Sequence, residues 1–247
     1  MRKPAALFLC LLASFLLYSC FPQNSSSEGQ EASKDVRKIY YQDGTLHKEM
    51  VYKNGLQDGV SKEYYKSGKI FQEVAYKKNL RNGVAKRYFE SGLLSQETPY
   101  VNDKMHGVQK RYRRSGDLMT EVPYYEGNLC IGLKEYTIDG KLKQRYPTIE
   151  ITPIDNILLN GTYTLKLKMS DGSKGVEYFV GRLAGNKYIG VEASRVFEVR
   201  DGVGEINFPM PRGSFIMEEV NIIARVKTSQ SNYYITQNKF HLAIENR

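Results

Sequence analysis

The sequence predicts an all-β protein, an antiparallel sheet of repeated hairpins followed by a β-sandwich. Three observations carry that prediction. Glycines recur with a fixed step of 24 residues at Gly44, Gly68, Gly92, Gly116 and Gly140. Within each step apolar residues alternate at period two, which marks half-buried strands. Beyond Pro147 the repeat stops, and about seven short strand-like runs follow with turn residues between them and no helical pattern.

The elements follow in order along the chain. Met1-Arg2-Lys3 precedes an apolar run from Ala5 to Tyr18 and then Ser19-Cys20. A basic start and an apolar segment too short to span a bilayer read as a secretory signal over residues 1–19. Leu17-Tyr18-Ser19-Cys20 resembles the lipobox of bacterial lipoproteins, which implies acylation of Cys20 as the first mature residue. Phe21 follows it, and by the same resemblance a residue other than Asp there favours the outer membrane. The Ser-rich stretch 20–35 reads as a flexible tether between a lipid anchor and a folded body.

The repeat occupies residues 36–146. Tyr40, Tyr64, Tyr88, Tyr112 and Tyr136 keep the 24-residue step, as do Leu46, Ile70, Leu94, Leu118 and Leu142. Tyr52, Tyr76, Tyr100 and Tyr124 form a further column, and Gly59, Gly83 and Gly107 another. Ile70, Val74 and Tyr76 share one parity, as do Val84 and Tyr88, so each unit reads as two strands. Ser67-Gly68, Ser91-Gly92, Ser115-Gly116 and Asp139-Gly140 sit between them, where glycine admits the positive φ of a tight turn. Stacking of such units gives a meander of hairpins with strands about 4.8 Å apart.

These phased Tyr, Gly and Leu positions resemble the bacterial variant of MORN repeats over roughly residues 38–146. The resemblance implies a binding or scaffold module. Tyr64, Tyr88, Tyr112 and Tyr136 with Gly68, Gly92, Gly116 and Gly140 are its structural positions.

Charge gives the repeat its second property. The chain has 36 Lys and Arg against 27 Asp and Glu, a formal net charge of +9. Residues 36–146 hold 21 basic and 13 acidic side chains, +8 of that total, while residues 147–247 hold 12 and 11. Lys38, Lys62, Lys86, Lys110 and Lys134 recur at the same step and share parity with the Tyr two residues on. Glu49, Glu73, Glu97 and Glu121 lie on the opposite parity from the Leu and Tyr set. Lys62, Lys86, Lys110 and Lys134 are therefore candidate binding residues for an anionic polymer, a headgroup layer or an acidic protein. The competing reading is structural: lysine stems cover Tyr rings and the glutamates pair with neighbouring strands. The basic cluster Lys110-Arg111-Tyr112-Arg113-Arg114 divides between two faces in a strand, which argues against nucleic acid.

In the last third, runs at Thr148–Thr152, Thr162–Met169, Val176–Leu183, Tyr188–Val191, Gly204–Phe208, Val220–Lys227 and Phe240–Ile244 read as strands, with Tyr233–Thr236 starting the last. Their number resembles an immunoglobulin-like sandwich over residues 147–247. With three Cys and three His, the chain has little material for a disulfide framework, a metal site or a histidine-based active site. Cys10 leaves with the signal and Cys20 is lipidated, so Cys130 remains alone, a small buried hydrophobe. His47, His106 and His241 stand in separate contexts, and no nucleophile elbow or phosphate loop is present. No catalytic residue, metal or cofactor is expected.

These readings converge on a lipid-anchored envelope protein that binds a protein or glycan partner through its repeat surface and does no chemistry. Two other readings stay open. One is a carbohydrate- or peptidoglycan-active enzyme whose carboxylate pair a single sequence does not reveal. The other is an organiser of the membrane surface that touches anionic headgroups through its lysine column.

Overall fold

The computed structural model describes residues 34–247, which apart from Lys34 and those following it leaves the signal segment 1–19, Cys20 and the tether outside the described residues. The first strand opens at Lys34, two residues inside the segment read as tether. Residues 34–247 belong to one compact unit.

Each 24-residue step gives a long hairpin and a short return. The first comprises β1 (Lys34–Tyr40), β2 (Leu46–Lys53) and β3 (Leu56–Gln57). The same pattern repeats as β4 (Gly59–Tyr64), β5 (Ile70–Lys77) and β6 (Leu80–Arg81), then as β7 (Gly83–Tyr88), β8 (Leu94–Val101) and β9 (Lys104–Met105). The last step is β10 (Gly107–Tyr112), β11 (Leu118–Tyr125) and β12 (Asn128–Leu129), with β13 (Lys134–Glu135) closing the array. Together they make one 13-stranded antiparallel sheet.

Local chemistry sets both of its long margins. At one, five-residue turns close with a bond from the first N–H to the fifth carbonyl, as Tyr65 N–H donates to Lys69 O at 2.8 Å. The fourth residue of each is the repeat glycine, and Gly68 sits at φ +79°. At the other, successive loops are laced together: Asn79 N–H donates to Gln57 O at 2.9 Å, Asp103 N–H to Arg81 O at 3.0 Å and Gly127 N–H to Met105 O at 2.8 Å.

The array is a single layer. Between Lys34 and Glu121 no hydrophobic side chain is fully buried, and the first that is, Val122, belongs to the last repeat. Stability in this part therefore comes from cross-strand pairs within each face.

A bulge in every unit corrects the parity reading. Tyr64 pairs with Ile70 but Glu63 with Gln72, so Phe71 is an extra residue, and His47, Ser95 and Met119 are skipped in the same way. An inserted residue reverses which face the following side chains occupy. Ile70 thus shares a face with Tyr64 and Glu73, while Val74 and Tyr76 lie on the other.

The C-terminal part is a β-sandwich. One sheet runs β14 (Ile149–Asn156), β15 (Thr162–Met169), β19 (Val203–Pro209), β18 (Val199–Arg200), and the other runs β17 (Ser194–Arg195), β16 (Val176–Val180), β20 (Phe215–Lys227), β21 (Tyr233–Glu245). Leu165, Leu167 and Met169 from the first sheet meet Tyr178, Ile222, Ala224, Val226 and Leu242 from the second in one core. Tyr178 fills its middle with no exposed surface and donates from Oη to Gly202 O at 3.0 Å. A Cβ at Gly204 would lie 2.8 Å from the Tyr178 ring, so ring and backbone pack directly.

Three details differ from the sequence reading. Tyr188–Val191 is no strand; Tyr188 makes only isolated bridges to Cys130 and Ala184. One helical turn, α1 (Ile157–Asn160), joins β14 to β15 and ends on Gly161 in the left-handed region. β20 and β21 are 13 residues each and pair along their whole length, so β20 begins at Phe215, ahead of the run read from Val220, and Ile216, Leu242 and Ile244 extend the core along this added stretch.

The last repeat is built into the sandwich. Leu129 and Ile131 pack on Phe179, Leu183, Ile223 and Ile235. Tyr146 stacks on Tyr234 at 4.6 Å and Tyr125 on Tyr188 at 6.0 Å. Glu135, with no exposed surface, accepts from Asn232 Nδ2 at 2.8 Å and from the Thr228 hydroxyl, and its other oxygen pairs with Lys143 Nζ at 3.2 Å. Arg111 Nη1 donates to Asn232 Oδ1 at 3.2 Å, so the polar cluster links both parts.

Candidate binding surfaces of the repeat sheet

The lysine column and the glutamate column form one row. Lys38 opposes Glu49, Glu49 opposes Lys62, and the alternation continues through Glu73, Lys86, Glu97, Lys110 and Glu121 to Lys134. Lys38 Nζ lies 3.3 Å from Glu49, Lys62 3.5 Å from Glu73 and Lys134 3.4 Å from Glu121. Among the described residues Lys86 and Lys110 make no ion pair this close, though each stands between two glutamates. Five cations alternate with four carboxylates, so the row is near neutral and presents no line of bare ammonium groups. The bulge described above brings the glutamates onto the lysine face.

The repeat tyrosines complete the row. Tyr64 Oη donates to Glu49 at 2.8 Å, Tyr88 to Glu73 at 2.8 Å, Tyr112 to Glu97 at 2.8 Å and Tyr136 to Glu121 at 2.9 Å. Each bond reaches back to the preceding unit. Each glutamate therefore sits between a phenol and one or two ammonium groups. Burial, and next the adjoining glutamate, push the phenols of Tyr64, Tyr88 and Tyr112 up to about 12. The Tyr64 bond, with Lys38, holds the Glu49 carboxyl below the ordinary glutamate range. Gly68, Gly92, Gly116 and Gly140 have no such chemistry; they set the turns that bring each tyrosine strand back beside its neighbour.

Beside this row lies an apolar one, of which the sequence reading noted only Val84. Val36 opposes Val51, Val60 opposes Ala75, Val84 opposes Pro99 and Val108 opposes Pro123. The four leading valines are each 44–46% exposed. The signal was present in the repeated Gly-Val pairs. Glycines make this row possible: a Cβ at Gly107, held at φ +116°, would lie 2.9 Å from Pro99 Cγ.

On the other face Tyr52, Tyr76, Tyr100 and Tyr124 line the loop margin, with Arg37 at 4.2 Å over Tyr52 and Arg81 at 4.3 Å over Tyr100. Near the turns, Tyr41 and Tyr65 donate to the carbonyls of Tyr64 and Tyr88, and Arg113 supplies the same bond to Tyr136 O at 2.6 Å. Alternation places Arg111 and Arg113 on this face and Lys110 and Tyr112 on the other. Cys130 is buried and unpaired among the described residues, and burial raises its thiol. An open cleft of about 710 Å³ lies between Asn128 and the loop from Arg182 to Glu192.

Three segments match the MORN repeat variant: residues 36–54, 57–78 and 81–102. The MORN repeats so matched are the first three steps of the sheet. The geometry carries the same step further, since the Tyr136 to Glu121 bond and the turn from Thr137 to Lys141 repeat it. No curated protein matches the chain. Among the described residues no helix is long and apolar enough to cross a membrane, and no three His, Cys, Asp or Glu side chains gather as a metal site.

Proposed function

We propose that the protein is a non-enzymatic binding scaffold, exported and held to the bacterial envelope by a lipid on Cys20, whose MORN-repeat sheet docks a protein or glycan partner. The single-layer sheet carries this reading. It keeps four cross-strand apolar pairs half exposed beside an ionic row that is already neutralised, a surface suited to contact. Pairing of the lysines weakens their pull on anionic headgroups, so a docking sheet has more support than a membrane-surface organiser. The two four-stranded sheets support an immunoglobulin-like reading of residues 147–247.

The docking surface is tested on the full chain. A Val60→Lys, Val84→Lys protein should fold, by circular dichroism, yet lose the partner that the parent recovers from envelope extracts. Undiminished recovery places binding elsewhere. The anchor rests on Leu17-Tyr18-Ser19-Cys20. Mass spectrometry of the mature N-terminus should find an acylated Cys20, and a Cys20→Ala protein that stays membrane-bound overturns the anchor.

A further inference from the structure

The two ends of the repeat sheet differ. At the C-terminal end β11, β12 and β13 are covered by the sandwich. At the other end β1 pairs only with β2 among the described residues, and all seven of its residues are exposed. An edge strand presents unpaired N–H and C=O groups that accept another strand.

By the 24-residue step β1 is equivalent to β4, β7 and β10. Each of those lies beside the second strand of the preceding unit, which supplies a glutamate to its lysine and its tyrosine. Lys62 and Tyr64 meet Glu49, Lys86 and Tyr88 stand at Glu73, and Lys110 and Tyr112 stand at Glu97. Lys38 and Tyr40 hold the same positions, and Tyr40 pairs with Leu46 across the same bulge. Lys38 has Glu49 on its inner side, whereas Tyr40 is 56% exposed with no carboxylate before it among the described residues. One step back from Glu49 the sequence has Ser25, so the chain does not continue the glutamate column upstream.

We propose that the outer edge of β1 is the docking site for a glutamate-bearing β-strand of a partner protein, which extends the repeat sheet and places its carboxylate between Lys38 Nζ and Tyr40 Oη. This deepens the scaffold reading above by naming the partner chemistry. Main-chain bonds along the edge give affinity, and the charge-assisted bonds to the carboxylate set register. β1 carries Lys34, Arg37 and Lys38 against one acid, Asp35, so it favours an acidic strand and repels a second β1.

The probe is an eight-residue peptide copying Ile70–Lys77, the strand that plays this part beside β7. Titrated onto the full-length protein at low salt and followed by NMR, it should bind saturably and perturb β1 amides. A peptide with Glu73→Gln should bind at least about tenfold more weakly, as should the parent peptide on Lys38→Gln or Tyr40→Phe protein, in line with loss of one charge-assisted bond. A Lys168→Gln control on the sandwich should bind as the parent does. Absent saturation, indifference to the peptide glutamate, or indifference to both protein substitutions overturns the proposal. So does a dimer in sedimentation that Tyr40→Phe abolishes, since the occupant would then be a second copy. None of these outcomes depends on the Val60, Val84 surface, so failure of the edge site is distinguishable from failure of the scaffold reading.

Discussion

Tyr88 shows how one residue type stabilises the array. Its ring lies over the repeat face, and its hydroxyl reaches across a strand boundary to Glu73 at 2.8 Å. A Tyr88→Phe protein should lose about 1.5 kcal/mol in urea unfolding, the worth of a hydrogen bond to a charged group. Because Tyr64, Tyr88 and Tyr112 are held at about 12, above the ordinary phenol value of about 10, folding favours their protonated forms. Their contribution is complete below about pH 10 and falls as pH rises toward 12. Alkaline titration of stability should show that loss, smaller in Tyr88→Phe. Glu135 acts at the junction instead. Its removal strands the Asn232 amide and the Thr228 hydroxyl, so Glu135→Ala should cost about 2 kcal/mol by denaturant unfolding, and Glu135→Gln less.

At the scale of the element, turn and hairpin chemistry were legible in the sequence, because glycine at positive φ leaves a mark at each step. Strand faces were less so. A single extra residue such as Phe71 is invisible to a period-two reading, yet it moves Ile70 to the face of Tyr64 and Glu73. The candidate lysines were found, and the competing reading already paired the glutamates with neighbouring strands; parity did not reveal that both columns share one face. Two kinds of glycine can be told apart experimentally. Gly92 at φ +94° has open space around it, whereas Gly107 at φ +116° would also drive a Cβ to 2.9 Å from Pro99. Backbone strain of about 1–3 kcal/mol is expected for alanine at either. Thermal unfolding should show Gly107→Ala to be the more damaging, because Pro99 is held in its strand and yields little.

Across the whole molecule, stability should fall with distance from the sandwich. Repeats touch only their neighbours, so the β1 end opens at low cost while the core strands open only with the whole. Hydrogen exchange should find β1 and β2 amides exchanging fastest, β8 and β11 more slowly, and β15, β20 and β21 slowest. Uniform protection from β1 to β21 would contradict that gradient. What the sequence determined by itself is what local chemistry repeats: the 24-residue step, the turns, the tyrosine, lysine and glutamate columns, and most strands of the sandwich. The tertiary structure alone decided the rest. It made the lysine and glutamate columns one row, left the valine row exposed, buried Glu135 beneath Thr228 and Asn232, and ended the sheet on β1, whose outer edge no other described strand pairs. These depend on contacts between residues far apart in the chain and on bulges that reset the faces, and no periodicity within one unit records either.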